Sequence, residues 1–307
     1  MDYCLGIDIG GTKTAVCIAD LNGNIIETGK FPTEPQLGVN SLIEKIVDCY
    51  KILCLKSNVK SSQIRFAGVA SPGPLDLKTG RIVHIATMGF VDVPIKDMLS
   101  KALELPVFLE NDANCAALAE SIVGAGKNAK SVVYVTISTG IGCGITINRK
   151  ILSGAFSSAG EVGHLTVVPN GKECPCGKKG CLELYASGTA IAKTASDLRN
   201  APIETKDVFV KAKNGDSEMQ EIIDAAADKL GLGLSHIIQV IDPDVIVLGG
   251  SVTKDYKLFA AQLYSALNRY VQPIKGREFN IKISQFDGEQ VILGAVLFGI
   301  SCFSEDF

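Results

Sequence analysis

The sequence has no tryptophan and only three histidines among its 307 residues. No apolar run approaches the roughly 18 residues that a membrane helix needs, which argues against a membrane partner. A basic run is missing as well. Lys+Arg is 30 and Asp+Glu is 33, a net charge of −3, so nucleic-acid binding by bulk electrostatics is not expected. The opening MDYCLGIDIGG has no basic n-region, and no signal peptide is expected. Low-complexity segments and long linkers are absent, and 47% apolar with 21% charged residues excludes a largely disordered chain. Ten cysteines are too sparse for a secreted disulfide scaffold. Three of them cluster, and the other seven lie among apolar neighbours. That usage fits a reducing cytoplasm, buried thiols and one metal cluster.

The length suits two lobes. Tyr3–Ile9, Thr14–Ala19 and Ile25–Phe31 read as strands, the last two joined at Asn22-Gly23, a hairpin signal. Apolar residues recur at helical spacing over 40–55, Ala113–Val123, 186–198, 206–213 and 218–240, the last stopping before Pro243. Short strands are expected at Arg65–Ala70, Val107–Leu109, Val245–Leu248 and Ile281–Ser284. Helices are expected over Leu258–Tyr270 and Leu293–Cys302, and an irregular stretch over 151–183. This order predicts an α/β protein with a mixed sheet. The run Leu5–Lys13 also lies over Val135–Cys143 at a constant offset of 130 residues. Each copy is a strand, a small-residue turn and a return strand, which suggests two lobes of related topology, each offering a glycine hairpin.

Five places could carry chemistry. In Asp8-Ile9-Gly10-Gly11-Thr12-Lys13, paired glycines let backbone N–H groups approach phosphate. Asp8 stands where Mg²⁺ would be held. An ordinary hairpin is the plainer reading. No helix follows, so this is not a P-loop. The turn Ser138-Thr139-Gly140-Ile141-Gly142 precedes a strand, which argues against a dinucleotide fold. Gly249-Gly250 follows a buried strand and suits either a flat ligand or a simple turn. Glu110-Asn111-Asp112 ends a strand and opens a helix. There Asp112 is either an N-cap or a base for a hydroxyl proton in phosphoryl transfer. The richest place is Glu161-Val162-Gly163-His164 followed by Cys174, Cys176, Cys181 and Glu183. Three thiolates and an imidazole within 18 residues can complete a tetrahedral, structural Zn²⁺ site. Glu161 and Glu183 are paired acceptors suited to sugar hydroxyls.

Together these residues resemble the ROK family, sugar kinases of the hexokinase/actin-like superfamily. The similarity runs from Asp8-Ile9-Gly10-Gly11-Thr12-Lys13 to Gly249-Gly250, and its most specific part is Ala159–His164 with the CxCGxxGCxE segment 174–183. The resemblance implies a two-lobed actin-like ATPase (ribonuclease H-like) fold with a duplicated mixed sheet and a small zinc-binding segment. The N-terminal lobe is expected over 1–115, joined by a closing helix over 293–307, and the larger lobe over 116–292. By the family's motifs, Asp112 is the general base for a hexose 6-hydroxyl. Asn111, Glu161, His164 and Glu183 hold the sugar. Asp8, Gly10, Gly11, Thr12, Lys13, Thr139, Gly140, Gly249 and Gly250 bind ATP, and His164, Cys174, Cys176 and Cys181 bind zinc. A cytoplasmic homodimer or homotetramer using ATP and Mg²⁺ is implied.

Two departures bear on the substrate. Ser138 and Cys143 stand where relatives commonly have glycine. Ala86-Thr87-Met88-Gly89-Phe90 replaces a Pro-Asn-Leu run that in gluco-type members precedes a tryptophan. The acceptor set therefore widens from glucose to mannose, fructose, allose, N-acetylhexosamines such as N-acetylmannosamine, or β-glucosides. Polyphosphate as donor, an inert sugar-binding protein and a sugar-sensing ROK repressor are the other readings. The last is disfavoured by a phosphate motif that starts at residue 8, which leaves no room ahead of it for a helix-turn-helix.

Overall fold

The structure is a computed structural model and describes residues 1–304. The chain separates into two compact units. Unit 1 holds Met1–Lys127, Gly144–Ala159 and the chain from Phe286 onward; unit 2 holds Asn128–Cys143 and Gly160–Gln285.

Unit 1 begins with β1 (Tyr3–Ile9), β2 (Lys13–Asp20) and β3 (Ile25–Pro32), a meander whose second turn is the predicted Asn22-Gly23 corner. Helix α1 (Gly38–Ser57) and strand β4 (Ile64–Ser71) follow. A small antiparallel sheet comes next, made of β5 (Leu75–Asp76), β6 (Arg81–Ile85) and β7 (Phe90–Val93). Then come α2 (Ile95–Leu103), β8 (Val107–Asn111) and α3 (Asp112–Ile122). The main sheet is ordered β3-β2-β1-β4-β8, with β1, β4 and β8 parallel. Leu42, Ile46, Tyr50 and Leu53 of α1 share one core with Leu5, Ile7 and Ile9 of β1. Ile292, Val296 and Ile300 belong to the closing helix and pack with Cys4, Cys17 and Phe66. Helices thus cover both faces, which is why β1 reads as an almost unbroken apolar run.

The second sheet is ordered β11-β10-β9-β12-β13. Its strands are β9 (Ser131–Ile137), β10 (Ile141–Ile147), β11 (Lys150–Ile151), β12 (Val245–Gly249) and β13 (Ile281–Ile283). Residues 144–147 of β10 and all of β11 fall in unit 1 and the rest of these strands in unit 2, whose helices are α4 (Glu183–Ala186), α5 (Gly188–Arg199), α6 (Thr205–Lys213), α7 (Ser217–Ile241) and α8 (Ala260–Tyr270). Asp216 caps the start of α7 through Met219 N–H, and Asp242 ends it in a left-handed conformation just before Pro243, as helices do ahead of proline. The closing helix is α9 (Gln290–Phe303).

Some expectations shift. The boundary expected at 115/116 falls inside α3, a continuous helix packed against α9, and contacts keep all of it in unit 1. Helix α8 starts at Ala260 because tight 3₁₀ turns occupy Ser251–Leu258. The helix expected over 293–307 starts at Gln290, and 305–307 lie outside the described residues. Of the seven scattered cysteines, Cys4, Cys17, Cys115 and Cys143 are buried, Cys49 and Cys54 are half-buried, and Cys302 is exposed. Among the described residues, no helix is long and apolar enough to cross a membrane.

Candidate functional site

In unit 1 the parallel strands bring their C-terminal ends together. Asp8 on β1 is level with Ala70 on β4, and Ala70 with Glu110 on β8. In open α/β sheets this edge is where ligands bind. The glycine turn leaves β1 here. Gly10 N–H donates to the Lys13 carbonyl at 3.1 Å, and Thr33 N–H donates to the Thr12 carbonyl at 3.0 Å. The buried Thr33 hydroxyl donates to the Gly10 carbonyl at 2.6 Å and meets Thr14 Oγ1 at 2.9 Å. Gly11, Thr12 and Lys13 are exposed, so the turn is held from behind and open in front. A Cβ on Gly11 would meet nothing within 4 Å.

At the end of β8 the N-cap is Asn111, not Asp112. Asn111 Oδ1 accepts from Ala113 N–H at 2.9 Å and from Asn114 N–H at 3.3 Å. The capping role offered for Asp112 is thereby filled by its neighbour. Asp112 is the first residue of α3, and its Oδ1 accepts from Ala113 N–H at 2.7 Å. A carboxylate in the first turn is favoured by the helix dipole. Burial, and then the negative charge of Asp112, push the Asp8 carboxyl up to about 7, while Lys30 pulls it back. The two acids therefore sense each other, and a site with two crowded carboxylates is suited to a cation. Gly144 lies on the same helix start, where a Cβ would run into the Ala113 carbonyl.

Unit 2 builds a second corner. Parallel β9 and β12 are in register at Thr136 and Gly249, so the turn after β9 and the Gly249-Gly250 turn leave adjacent strand ends. Gly250 has φ +92°, and a Cβ there would meet the Ile137 carbonyl. The 138–141 turn is closed by Ser138 N–H to the Gly140 carbonyl at 2.9 Å and clasped by Gly188 N–H to the Ser138 carbonyl at 2.7 Å. Glu183 Oε2 accepts from Ile141 N–H at 2.9 Å, and a Cβ on Gly140 would collide with that oxygen. Sequence reasoning gave Glu183 to the sugar; the structure spends one of its oxygens on this turn. The 3₁₀ turn Val162–His164 packs against the same place, since a Cβ on Gly163 would meet the Ile141 carbonyl. Glu161 occupies the position ahead of that turn, makes no side-chain capping bond to it and is exposed.

Below His164 lies the cysteine cluster. The ligand atoms of His164, Cys174, Cys176 and Cys181 all lie within 4.8 Å of one another. His164 Nδ1 is 3.7 Å from Cys174 Sγ, and Cys176 Sγ is 3.6 Å from Cys181 Sγ. A tetrahedron with metal–sulfur bonds of about 2.3 Å has edges of about 3.8 Å, so the donor set fits a four-coordinate ion. Burial and the two neighbouring thiols push Cys181 up to about 12, whereas the Lys178 N–H pulls Cys176 down. Gly177 N–H to the Cys174 carbonyl makes the turn between the thiols, and Lys178 Nζ holds the His164 carbonyl at 2.8 Å. His84 and His236 take no part in the cluster.

Thr33 escaped sequence reasoning, and Glu110 entered it only as part of the strand-to-helix motif, with no role of its own. Thr33 and the buried Glu110 shape unit 1's corner, and Thr33 carries no local signal because its partners lie up to 23 residues away.

The ROK family profile matches residues 4–300. The chain belongs to the ROK family. This ROK protein is 34% identical over 296 residues to a glucokinase of Halalkalibacterium halodurans, covering 91% of this chain and 90% of that protein. It is 30% identical to a xylose repressor of Bacillus spizizenii over 95% of this chain and 75% of the repressor. A crystal structure of a ROK family glucokinase from Streptomyces griseus, in complex with glucose and AMPPNP, superposes with a TM-score of 0.82 at 29% identity, over 97% of this chain and 99% of that one. The fold of this ROK protein is accordingly the α/β, two-sheet, actin-like fold of its family.

Proposed function

We propose that this ROK protein is a sugar kinase that transfers the γ-phosphoryl group of ATP to the primary 6-hydroxyl of a hexose. The observation that carries this reading is the corner of unit 1. There Asp112, on a capped helix start, shares the strand-end edge with Asp8 and the open glycine turn. The likeness to glucokinases supports it.

To unit 1 we assign Asp112 as general base, Asn111 as a donor to a sugar hydroxyl through Nδ2, and Asp8, Gly10, Gly11, Thr12 and Lys13 to the nucleotide. To unit 2 we assign Thr139, Gly140, Gly249 and Gly250 to the nucleotide, and Glu161, His164 and Glu183 to the sugar. Asp112 accepts the 6-hydroxyl proton as the oxygen bonds to the γ-phosphorus and the bond to the β-phosphate oxygen breaks, leaving ADP. The protein's own work is position and charge. Asp8 would hold Mg²⁺, which supplies charge neutralisation for the phosphates. His164, Cys174, Cys176 and Cys181 would hold a structural Zn²⁺. With Nδ1 committed to the cluster, the ring's Nε2 remains for a hydroxyl.

The test is ADP release from ATP over a panel of glucose, mannose, fructose, allose, N-acetylmannosamine and aryl β-glucosides, with a polyphosphate arm. Turnover on at least one sugar is expected. The repressor relative motivates one further reading, sugar sensing without catalysis. A sugar that raises the melting temperature while no sugar is phosphorylated with either donor would replace the kinase reading with that one.

A further inference from the structure

Glu110 precedes the proposed base by two positions and belongs to none of the roles above. It is 2% exposed at the end of β8. Its Oε1 accepts from Asn111 N–H at 2.7 Å and from Asn114 Nδ2 at 3.0 Å. Its Oε2 meets Ser153 Oγ at 3.4 Å. A buried carboxylate is costly unless its oxygens are satisfied. Burial raises the Glu110 carboxyl above the ordinary range, and the influences opposing that rise are these three hydrogen bonds.

The placement of these partners is informative. Asn111 caps α3, and Asn114 lies in its first turn. Ser153 opens the 153–159 loop, which closes on itself through Ala159 N–H to the Ser153 carbonyl at 3.1 Å. That loop runs directly into Gly160 and Glu161. One side chain therefore grips both the strand-to-helix corner that presents Asp112 and the start of the segment that leads to Glu161.

We propose that Glu110 is a positioning residue for the sugar, fixing the Asn111–Asp112 corner and tying the 153–159 loop to it. The assignment deepens the kinase reading and rests on it for its consequence in turnover. Glutamine preserves the geometry: its oxygen accepts from Asn111 and Asn114, and its NH₂ donates to Ser153. Alanine removes all three contacts, and Ser153→Ala removes one.

The experiment pairs kinetics with amide hydrogen exchange on the full chain. With a sugar that is turned over, Glu110→Ala should lower kcat/KM for the sugar by about tenfold or more, since small misplacements near reacting groups are that costly. Ser153→Ala should lower it by a few-fold. In both, KM for ATP should stay within about twofold, and Glu110→Gln should restore sugar kcat/KM to within about threefold of the unmutated protein. Exchange at the Asn111 amide should speed up in Glu110→Ala and stay slow in Glu110→Gln. A glutamine variant as impaired as alanine, or equal rises in both KM values, would overturn the proposal. If no sugar is turned over, the kinase reading fails on its own. The exchange data then decide the Glu110 assignment, and unaltered protection of Asn111 in Glu110→Ala rejects it. Should alanine prevent folding, Ser153→Ala and Glu110→Gln carry the same comparisons.

Discussion

The two corners solve one problem with different materials. In unit 1 the chemistry-bearing residues sit on regular elements. Asp8 is on β1, Asp112 on α3, and the turn between β1 and β2 is latched by the Thr33 hydroxyl. In unit 2, Glu161 and His164 sit in the irregular stretch between β11 and α4, where little sheet or helix can hold them. There the bracing comes from Glu183 on the 138–141 turn and from the three thiols gathered around His164. Where backbone hydrogen bonding orders a segment, a capped helix suffices. Where it does not, a metal ion held by His164, Cys174, Cys176 and Cys181 would supply the cross-link. The comparison also implies a division of labour: damage to unit 1's corner should strike the chemical step, and damage to the cluster should strike sugar binding.

Asp112→Asn is the sharpest way to test that division. Turnover should fall by at least about a hundredfold, the lower end of a general base's contribution, with the melting temperature nearly unchanged because Asn111 still caps α3. ADP release under saturating substrates measures it. Turnover near the unmutated rate would take the base role away from Asp112.

Cys176→Ser is the counterpart in unit 2. The exposed Cys176 can be changed without opening a core, so its effect should come from metal loss alone. Purified unmutated protein should contain zinc by elemental analysis, and the variant should lack it. The sugar KM should rise by about tenfold or more, as when the support of a ligand is removed, with a smaller change in KM for ATP. Zinc-free yet fully active unmutated protein would dissolve the contrast between the two corners.

Much of this contrast was legible in the sequence, because its carriers are local. The Asn22-Gly23 hairpin, the apolar face of α7 and the Cys-Pro-Cys-Gly run are each read within a few residues. The clasps were not legible, because they join residues 23 and 42 positions apart. The 130-residue offset relates the two turns but pairs Thr33 with Gly163, which has no side chain to offer. Helix α2 was missed because Ile95, Leu99 and Leu103 give only three buried anchors over nine residues. Strands β5 to β7 run two to five residues, too short for period-two alternation to emerge. Asp112 was offered as a cap because Asn and Asp suit that position equally well, and only the β8 register puts Asn111 there.

Glycine substitutions compare the two turns directly. Gly140→Ala puts a methyl group where Glu183 Oε2 sits, so Glu183 must move and its bond to Ile141 is lost. The carboxylate ends a flexible side chain and swings aside, so the cost is its bond from Ile141 N–H, about 1 kcal/mol, together with impaired sugar binding. Gly11→Ala meets open space and should leave the melting temperature unchanged while raising KM for ATP, because only a phosphate would meet the new methyl. Equal melting temperatures for the two variants would show that Glu183 does not clasp its turn.

The mildest kinetic effect expected is at Thr33. Thr33→Val keeps the shape but leaves the Gly10 carbonyl without its side-chain donor and the buried Thr14 hydroxyl without its partner. Leaving buried groups unpaired in this way costs about 1–3 kcal/mol of stability. Because the turn keeps its backbone bonds from Gly10 and Thr33 N–H, KM for ATP should rise only a few-fold. Thr33→Ser restores the hydroxyl and should return KM for ATP to the unmutated value, while a small stability loss from the missing methyl persists. If serine and valine behaved alike, the methyl group and not the hydroxyl would hold the turn, and the contrast between a hydroxyl latch in unit 1 and a carboxylate clasp in unit 2 would fail.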